Sequence, residues 1–158
     1  MNWKTTVRAI SGGLLLLAMS GASAAYAAPA SGCAMLTPAQ IQKAVGQPFG
    51  APKEGTFPPS FGKQPWGARC VYDSKNGPHA SVTFIVYVDA SASQAKQTFD
   101  ALAAWFPAKS KPAIGDAAYI DKSGAVHVLK GRVRYFLSID PANEKKLKDL
   151  AASVAAKL

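Results

Sequence analysis

The sequence predicts an α+β fold: an antiparallel sheet of five or more strands with helices packed on one face, in the order α-β-β-α-β-β-β-α. Three observations carry this reading. Ser81 to Val88 is a β-branched and aromatic run without Gly or Pro, in which Val82, Phe84, Val86 and Val88 alternate with Ser81, Thr83, Ile85 and Tyr87. A period of two with one wholly apolar side is a strand buried on that side. Turn pairs such as Asn76-Gly77 and Gly131-Arg132 separate short runs and join them as hairpins. Ala95, Phe99, Leu102 and Phe106, and later Leu147, Leu150, Ala151, Val154 and Leu158, recur at helical spacing and give two stripes that need cover.

The first stretch is set apart from that fold. Lys4 and Arg8 precede an apolar segment from Ile10 to Met19, and Ala25-Tyr26-Ala27 follows as a small-residue cleavage site. This three-part pattern is a secretory signal peptide. The apolar segment is short for a membrane span, which takes about 20 apolar residues. Residues 1–27 are therefore read as signal peptide and 28–158 as a single α+β domain, periplasmic or secreted and not membrane-spanning.

Within the domain, Thr37-Pro38-Ala39-Gln40 starts a short helix: Thr37 caps, Pro38 suits the first helical position, and Gln40 completes a capping box. Gly46 suits the left-handed position that ends it. From Gln47 to Gly67, prolines and glycines alternate with Phe49, Phe57, Phe61 and Trp66, with room for one short edge strand around Gly55 to Phe57. Arg69 to Asp73 begins the regular sheet, and Asn76-Gly77 returns the chain into the Ser81 strand. Ser91 or Ser93 caps a helix from about Ala92 to Trp105, whose stripe is expected on Val82, Phe84, Val86 and Val88. Pro107 stops it, and Lys109-Ser110-Lys111-Pro112 reads as a surface connection. Strands follow at Ala117–Asp121, Ala125–Lys130 and Val133–Ile139. Gly131 leads a two-residue II′ turn between the last two. Asp140-Pro141-Ala142-Asn143 opens the final helix.

The formal charge is +9. Lys4 and Arg8, with no acid beside them in residues 1–27, account for two of these charges, so +7 remains on the domain. Basic surfaces favour anionic partners. However, the lysines are dispersed, and Lys145, Lys146 and Lys148 fit the solvated face of the last helix. Cys33 and Cys70 both follow the cleavage site. An even count in an oxidising compartment points to a disulfide. The competing reading, a lipid-modified Cys33, is disfavoured because Ala30-Ser31-Gly32 lacks the Leu expected three residues before such a cysteine. No cofactor or metal is expected: two cysteines and the distant His79 and His127 have no ligand spacing.

Several short motifs recur in a recognisable order: Cys33-Ala34-Met35-Leu36-Thr37-Pro38-Ala39, then Cys70-Val71-Tyr72, Ala113-Ile114-Gly115-Asp116-Ala117-Ala118-Tyr119 and Leu129-Lys130-Gly131. From about Cys33 to Leu158 this order resembles small exported bacterial cell-envelope domains of unknown function, lipoproteins and periplasmic proteins among them. The chain departs from their pattern at Met35, Gln40 and Ala113. The resemblance implies an α/β sandwich with an antiparallel sheet, related to the Mog1/PsbP-like fold, and brings no catalytic residues. On physical grounds Gly115 permits positive φ, and Asp116 is expected to bond the amides that follow it.

The chemical inventory points away from catalysis. No Gly-rich phosphate loop, nucleophile elbow or His-x-x-x-His pattern is present. His127 reads as an exposed strand histidine, and the aspartates fall at turns or strand ends, where Asp bonds its own backbone. RNP-like aromatics and helix-turn-helix spacing are absent, so nucleic acid is not expected as a partner. The leading expectation is a non-enzymatic periplasmic binding or accessory module. Its partner would be an envelope protein or an anionic ligand, met by Phe57, Phe61, Trp66, Tyr87, His127, Arg134 and Phe136. An inhibitor or immunity-type protein that blocks an envelope enzyme is the alternative, and a hydrolase using His127 the third.

Overall fold

The structure, a computed structural model, describes residues 32–56, 66–76, 80–140 and 142–158. Residues 1–27, read from the sequence as a signal peptide, together with Phe57, Phe61, His79 and the Asn76-Gly77 turn's second residue, lie outside the described residues.

A 3₁₀ turn, Gly32–Met35, leads into α1 (Pro38–Val45). Strands β1 (Lys53–Thr56), β2 (Trp66–Asp73) and β3 (Ser81–Val88) follow, then α2 (Ala92–Trp105). The second half holds β4 (Ala108–Ser110), β5 (Ala117–Asp121), β6 (Val126–Lys130), β7 (Val133–Asp140) and α3 (Glu144–Ala155). The seven strands form one antiparallel sheet in the order β1-β2-β3-β7-β6-β5-β4. It consists of two meanders that meet where β3 pairs with β7, for example Phe84 opposite Leu137 and Tyr87 opposite Arg134.

The α+β class and the expected order stand, with one anticipated and one unanticipated short strand at the sheet's edges. β1 is the short edge strand expected near Gly55. β4 occupies part of the segment read as a connection: Ala108 pairs with Asp121 and Ser110 with Ile120, across an irregular register. A three-residue strand lacks the length for an alternating pattern, so sequence periodicity gave no sign of it.

Local chemistry explains the element ends. Thr37 Oγ1 accepts from the Gln40 amide at 3.3 Å while Gln40 Oε1 accepts from the Thr37 amide at 3.0 Å, and Gly46 ends α1 at φ +85°. Lys146 of α3 donates to the Val45 carbonyl at 2.6 Å, placing a cation on the negative end of α1. Ser91 caps α2 and Asn143 caps α3. Gly131 has φ +57°, and no described non-glycine residue has positive φ, as a II′ turn with Gly first requires.

Cys33 and Cys70 form a disulfide with a Cα–Cα distance of 5.6 Å, fastening the 3₁₀ turn to β2. Beside it the buried Tyr72 hydroxyl donates to the Leu36 carbonyl and lies 3.2 Å from that of Cys33. On this face Val82, Phe84, Val86 and Val88 join Tyr135, Leu137 and Val128 under Leu36, Ile41, Leu147, Leu150 and Val154. Thus α1 and α3 cover the side that the alternation marks as buried.

The position of α2 corrects the expectation. Its Ala95 and Phe99 pack on Tyr119 and Leu129, which belong to the opposite face. Alternation in β3 states that one side is dry but not which helix dries it. Here α1 and α3 already fill that side, and the aromatic second face accepts α2. Consequently β6 is buried on both sides, and His127 is only 7% exposed, not an exposed strand histidine.

Asp116 is a second correction. Gly115 does take positive φ, +63°, and a Cβ there would lie 2.5 Å from the Leu129 carbonyl oxygen. The Asp116 carboxylate, however, accepts from the Gly131 amide at 2.6 Å and Lys130 Nζ at 2.9 Å, across the sheet instead of from the amides that follow it. These bonds hold it below the usual carboxylate range, the Gly131 amide contributing most.

Candidate functional site

Among the described residues the buried charged or polar side chains are Asp89, Asp121, His127 and Arg134. All four belong to the second face. Asp89 shares the parity of Ile85 and Tyr87, Asp121 that of Tyr119, and Arg134 that of Phe136. They form two pairs, and between the pairs and α2 lies a pocket of about 210 Å³.

The pocket is built strand by strand. β3 supplies Ile85 and Tyr87, which stand opposite Phe136 and Arg134 of β7. β6 supplies His127, opposite Phe136. The C-terminal end of α2 lies above with Leu102 and Phe106. Gly67 of β2 pairs with Tyr87, and a Cβ there would come within 2.9 Å of the Tyr87 ring, so glycine leaves that ring its place.

Arg134 Nε donates to Asp89 Oδ2 at 2.6 Å and Nη2 to Oδ1 at 3.1 Å, a two-pronged pair with Asp89 fully buried and Arg134 3% exposed. The guanidinium carbon also lies 5.0 Å from the Tyr87 ring centroid. Burial raises the Tyr87 hydroxyl above its ordinary value, against the pull of Arg134.

His127 Nε2 lies 2.9 Å from Asp121 Oδ2. Asp121 is itself anchored by the Ser123 amide and hydroxyl and the Ala125 amide. Burial alone would raise this carboxyl. The bonds from Ser123, His127 and Ala125 outweigh it and hold Asp121 below its usual range. Burial lowers His127 despite the neighbouring carboxylate, so the ring is neutral at pH 7; the ionised Asp121 can only accept, which assigns the imidazole proton to Nε2. The imidazole stacks on Tyr119 at 4.4 Å and on Phe106 at 5.6 Å, with the edge of Phe136 at 5.1 Å. Burial, and then the Asp121 charge, push the Tyr119 hydroxyl up to about 12.

The structure brings Tyr87, His127, Arg134 and Phe136 of the sequence-selected residues to one pocket. The backbone of Trp66 pairs with Val88 in β2, but its side chain, like Phe57 and Phe61, lies outside the described residues. Sequence reading missed Ile85, Leu102 and Phe106 as pocket walls, having assigned the α2 stripe to the other face. It also left Asp89 among turn aspartates. One signal was present: an arginine amid apolar strand residues calls for a buried acid, and Asp89 lies two residues beyond Tyr87 on the same side.

A larger cleft, about 370 Å³, opens between the end of α1 and the start of α3, lined by residues including Gln47, Asn76, Asn143 and Lys146. None of the four buried ionisable side chains lines it, and Lys146 is committed to Val45. Among the described residues no group of three or more His, Cys, Asp or Glu is placed to hold a metal ion. No described helix is long and apolar enough to cross a membrane. No protein-family model matches the chain, and no curated protein matches it.

Proposed function

We propose that this chain is an exported, non-enzymatic binding module of the bacterial cell envelope that holds a small apolar group between α2 and the second face of its sheet. One observation carries the reading: the buried Asp, His and Arg side chains described, Asp89, Asp121, His127 and Arg134, all lie on that face, already paired with one another, around an apolar pocket. Folding alone gives no reason to concentrate them there, since a buried ion pair stabilises no better than apolar residues of similar volume. At the lip Phe106 is 46% exposed and its neighbour Trp105 76%, the large hydrophobic side chains that stay exposed among the described residues. Adjacent exposed aromatics beside a cavity mark a binding edge.

Holding is favoured over chemistry by the lining. His127 spends its one proton on Asp121, and no described serine, cysteine or carboxylate lines the pocket. Export is supported by the leader pattern of residues 1–27 and by the Cys33–Cys70 disulfide, which belongs in an oxidising compartment.

Two measurements test this. N-terminal sequencing of protein recovered from the envelope fraction should begin at Ala28; an intact leader on cytosolic protein overturns export. A fragment screen followed by methyl NMR should give binders that move the Ile85 and Leu102 signals. Binders that move only residues lining the α1–α3 cleft overturn the choice of site.

A further inference from the structure

The pocket's size, shape and charge state together specify the class of ligand, given the reading of it as a binding site. We infer that it selects a single uncharged aromatic ring carrying one hydrogen-bond acceptor, and that it discriminates against rings of either charge.

Size comes first. About 210 Å³ is below the roughly 300–1,000 Å³ of sites that enclose drug-sized ligands, so one ring with a small substituent fills it. Shape comes next. Tyr119, His127 and Phe106 already form a stack of flat rings, with interplanar angles of 10° and 27° about the imidazole. A planar guest between Phe106 and the sheet extends that stack, and aromatic rings gain from offset and edge contacts beyond their area.

Charge decides the rest. The Arg134 cation is matched by Asp89, and Asp121 sits behind a neutral His127. An anionic guest would meet a guanidinium already neutralised, with a second carboxylate behind the imidazole. A cationic guest would find both carboxylates engaged. Either would give up its hydration without gaining a free counter-charge, and burying an unmatched charge is strongly unfavourable.

Hydrogen-bond donors remain for a guest on Arg134. A guanidinium carries five N–H donors in a fixed fork. Asp89 takes the single one on Nε and one of the two on Nη2. The two on Nη1 make no hydrogen bond to any described residue, although the side chain is 4% exposed and lines the pocket. A carbonyl or amide oxygen on the ring supplies the missing acceptor without bringing charge.

The test uses four one-ring probes on the purified, oxidised protein at pH 7.5: benzamide, benzoate, benzylammonium and toluene. Binding is followed through the Ile85 and Leu102 methyl signals. Benzamide is expected to bind about tenfold more tightly than either charged probe, and about fivefold more tightly than toluene, which lacks the acceptor. Phe106→Ala should weaken benzamide about tenfold while leaving the amide spectrum dispersed. If benzoate or benzylammonium equals benzamide while moving the same methyls, charge selection is overturned and the binding pocket stands. If toluene equals benzamide, the Arg134 acceptor contact is overturned. If none of the four moves Ile85 or Leu102, the reading of this pocket as a ligand site fails along with the inference.

Discussion

On the first face of the sheet, Phe84, Leu137 and Val128 lie beneath two helices, Tyr72 and Tyr135 satisfy their hydroxyls on backbone carbonyls, and a disulfide ties the cover down. On the second face, a single helix covers Tyr119 and Leu129 at one end and leaves a cavity at the other, between two buried pairs that include Arg134 and His127. The first arrangement is what a domain of this size needs to fold: apolar area removed from water, with few polar atoms to satisfy. The second places desolvated charge where aliphatic side chains would serve stability equally well. Two faces of the same strands, with the same backbone pairing, thus differ in how their side chains are covered and satisfied.

The largest effects should come from breaking the pairs one partner at a time. Asp89→Ala leaves the Arg134 guanidinium buried without its carboxylate, and urea unfolding should report a loss of about 3–5 kcal/mol. The informative partner experiment is Asp89→Leu with Arg134→Met. Replacing a buried pair by apolar residues of similar volume is often neutral or stabilising by roughly 1–4 kcal/mol. The double variant should therefore regain or exceed parental stability while losing ligand. A double variant as unstable as Asp89→Ala would make the pair a structural requirement and erase the contrast between the faces. On the first face, Cys33→Ser with Cys70→Ser opens a link spanning 37 residues of sequence, and about 4 kcal/mol should be lost in the chain-entropy account. That variant should keep pocket binding wherever it remains folded, because the disulfide and the pocket lie on opposite faces. Equal loss of binding would show that the faces are not independent.

The sequence reading succeeded where physics acts locally. The capping box of Thr37 and Gln40, the bounds of α2, and the left-handed glycines at 46, 115 and 131 follow from neighbours in the chain. Alternation also sorted Tyr87, Arg134 and Phe136 onto one side. What it could not convey was long-range. Which helix lies on which face depends on how space is filled, and α2 went to the side opposite its expected one. His127 looked exposed because its own strand gives no hint of Phe106 and Tyr119 closing over the ring. Asp116 found its donors fourteen and fifteen residues away, on Lys130 and Gly131, rather than in the next turn.

A smaller effect distinguishes the faces by pH. Burial holds the folded His127 below its ordinary value of 6.5. Between that value and the folded one the unfolded chain therefore binds more protons, and stability falls as pH falls. The contribution is complete above about pH 6.5 and declines through the window below it. Asp121, held below its ordinary 3.8, adds a second loss in the same direction below that pH. The thermal midpoint should drop between pH 7.5 and 5, and His127→Gln should flatten that segment while retaining a donor to Asp121. A drop of the same size in the variant would assign it elsewhere.

The smallest expected change in stability is the most direct separation of the two roles. Phe106 follows the last residue of α2 and is 46% exposed, so its removal takes little apolar surface from the interior. Surface substitutions away from buried features shift stability by about 0.5 kcal/mol; with its partial stacking on His127, Phe106→Ala should cost about 1 kcal/mol. Phe84→Ala, on the fully buried first face, should cost about 3–5 kcal/mol. Binding should order the two variants the other way: weakened about tenfold when Phe106 is truncated, retained when Phe84 is truncated and the protein is kept folded at low temperature. If both properties followed burial alone, with Phe84→Ala the poorer binder and Phe106→Ala unaffected, the second face would be a less well packed copy of the first. The paired charges of Asp89, Arg134, Asp121 and His127 would then belong to folding.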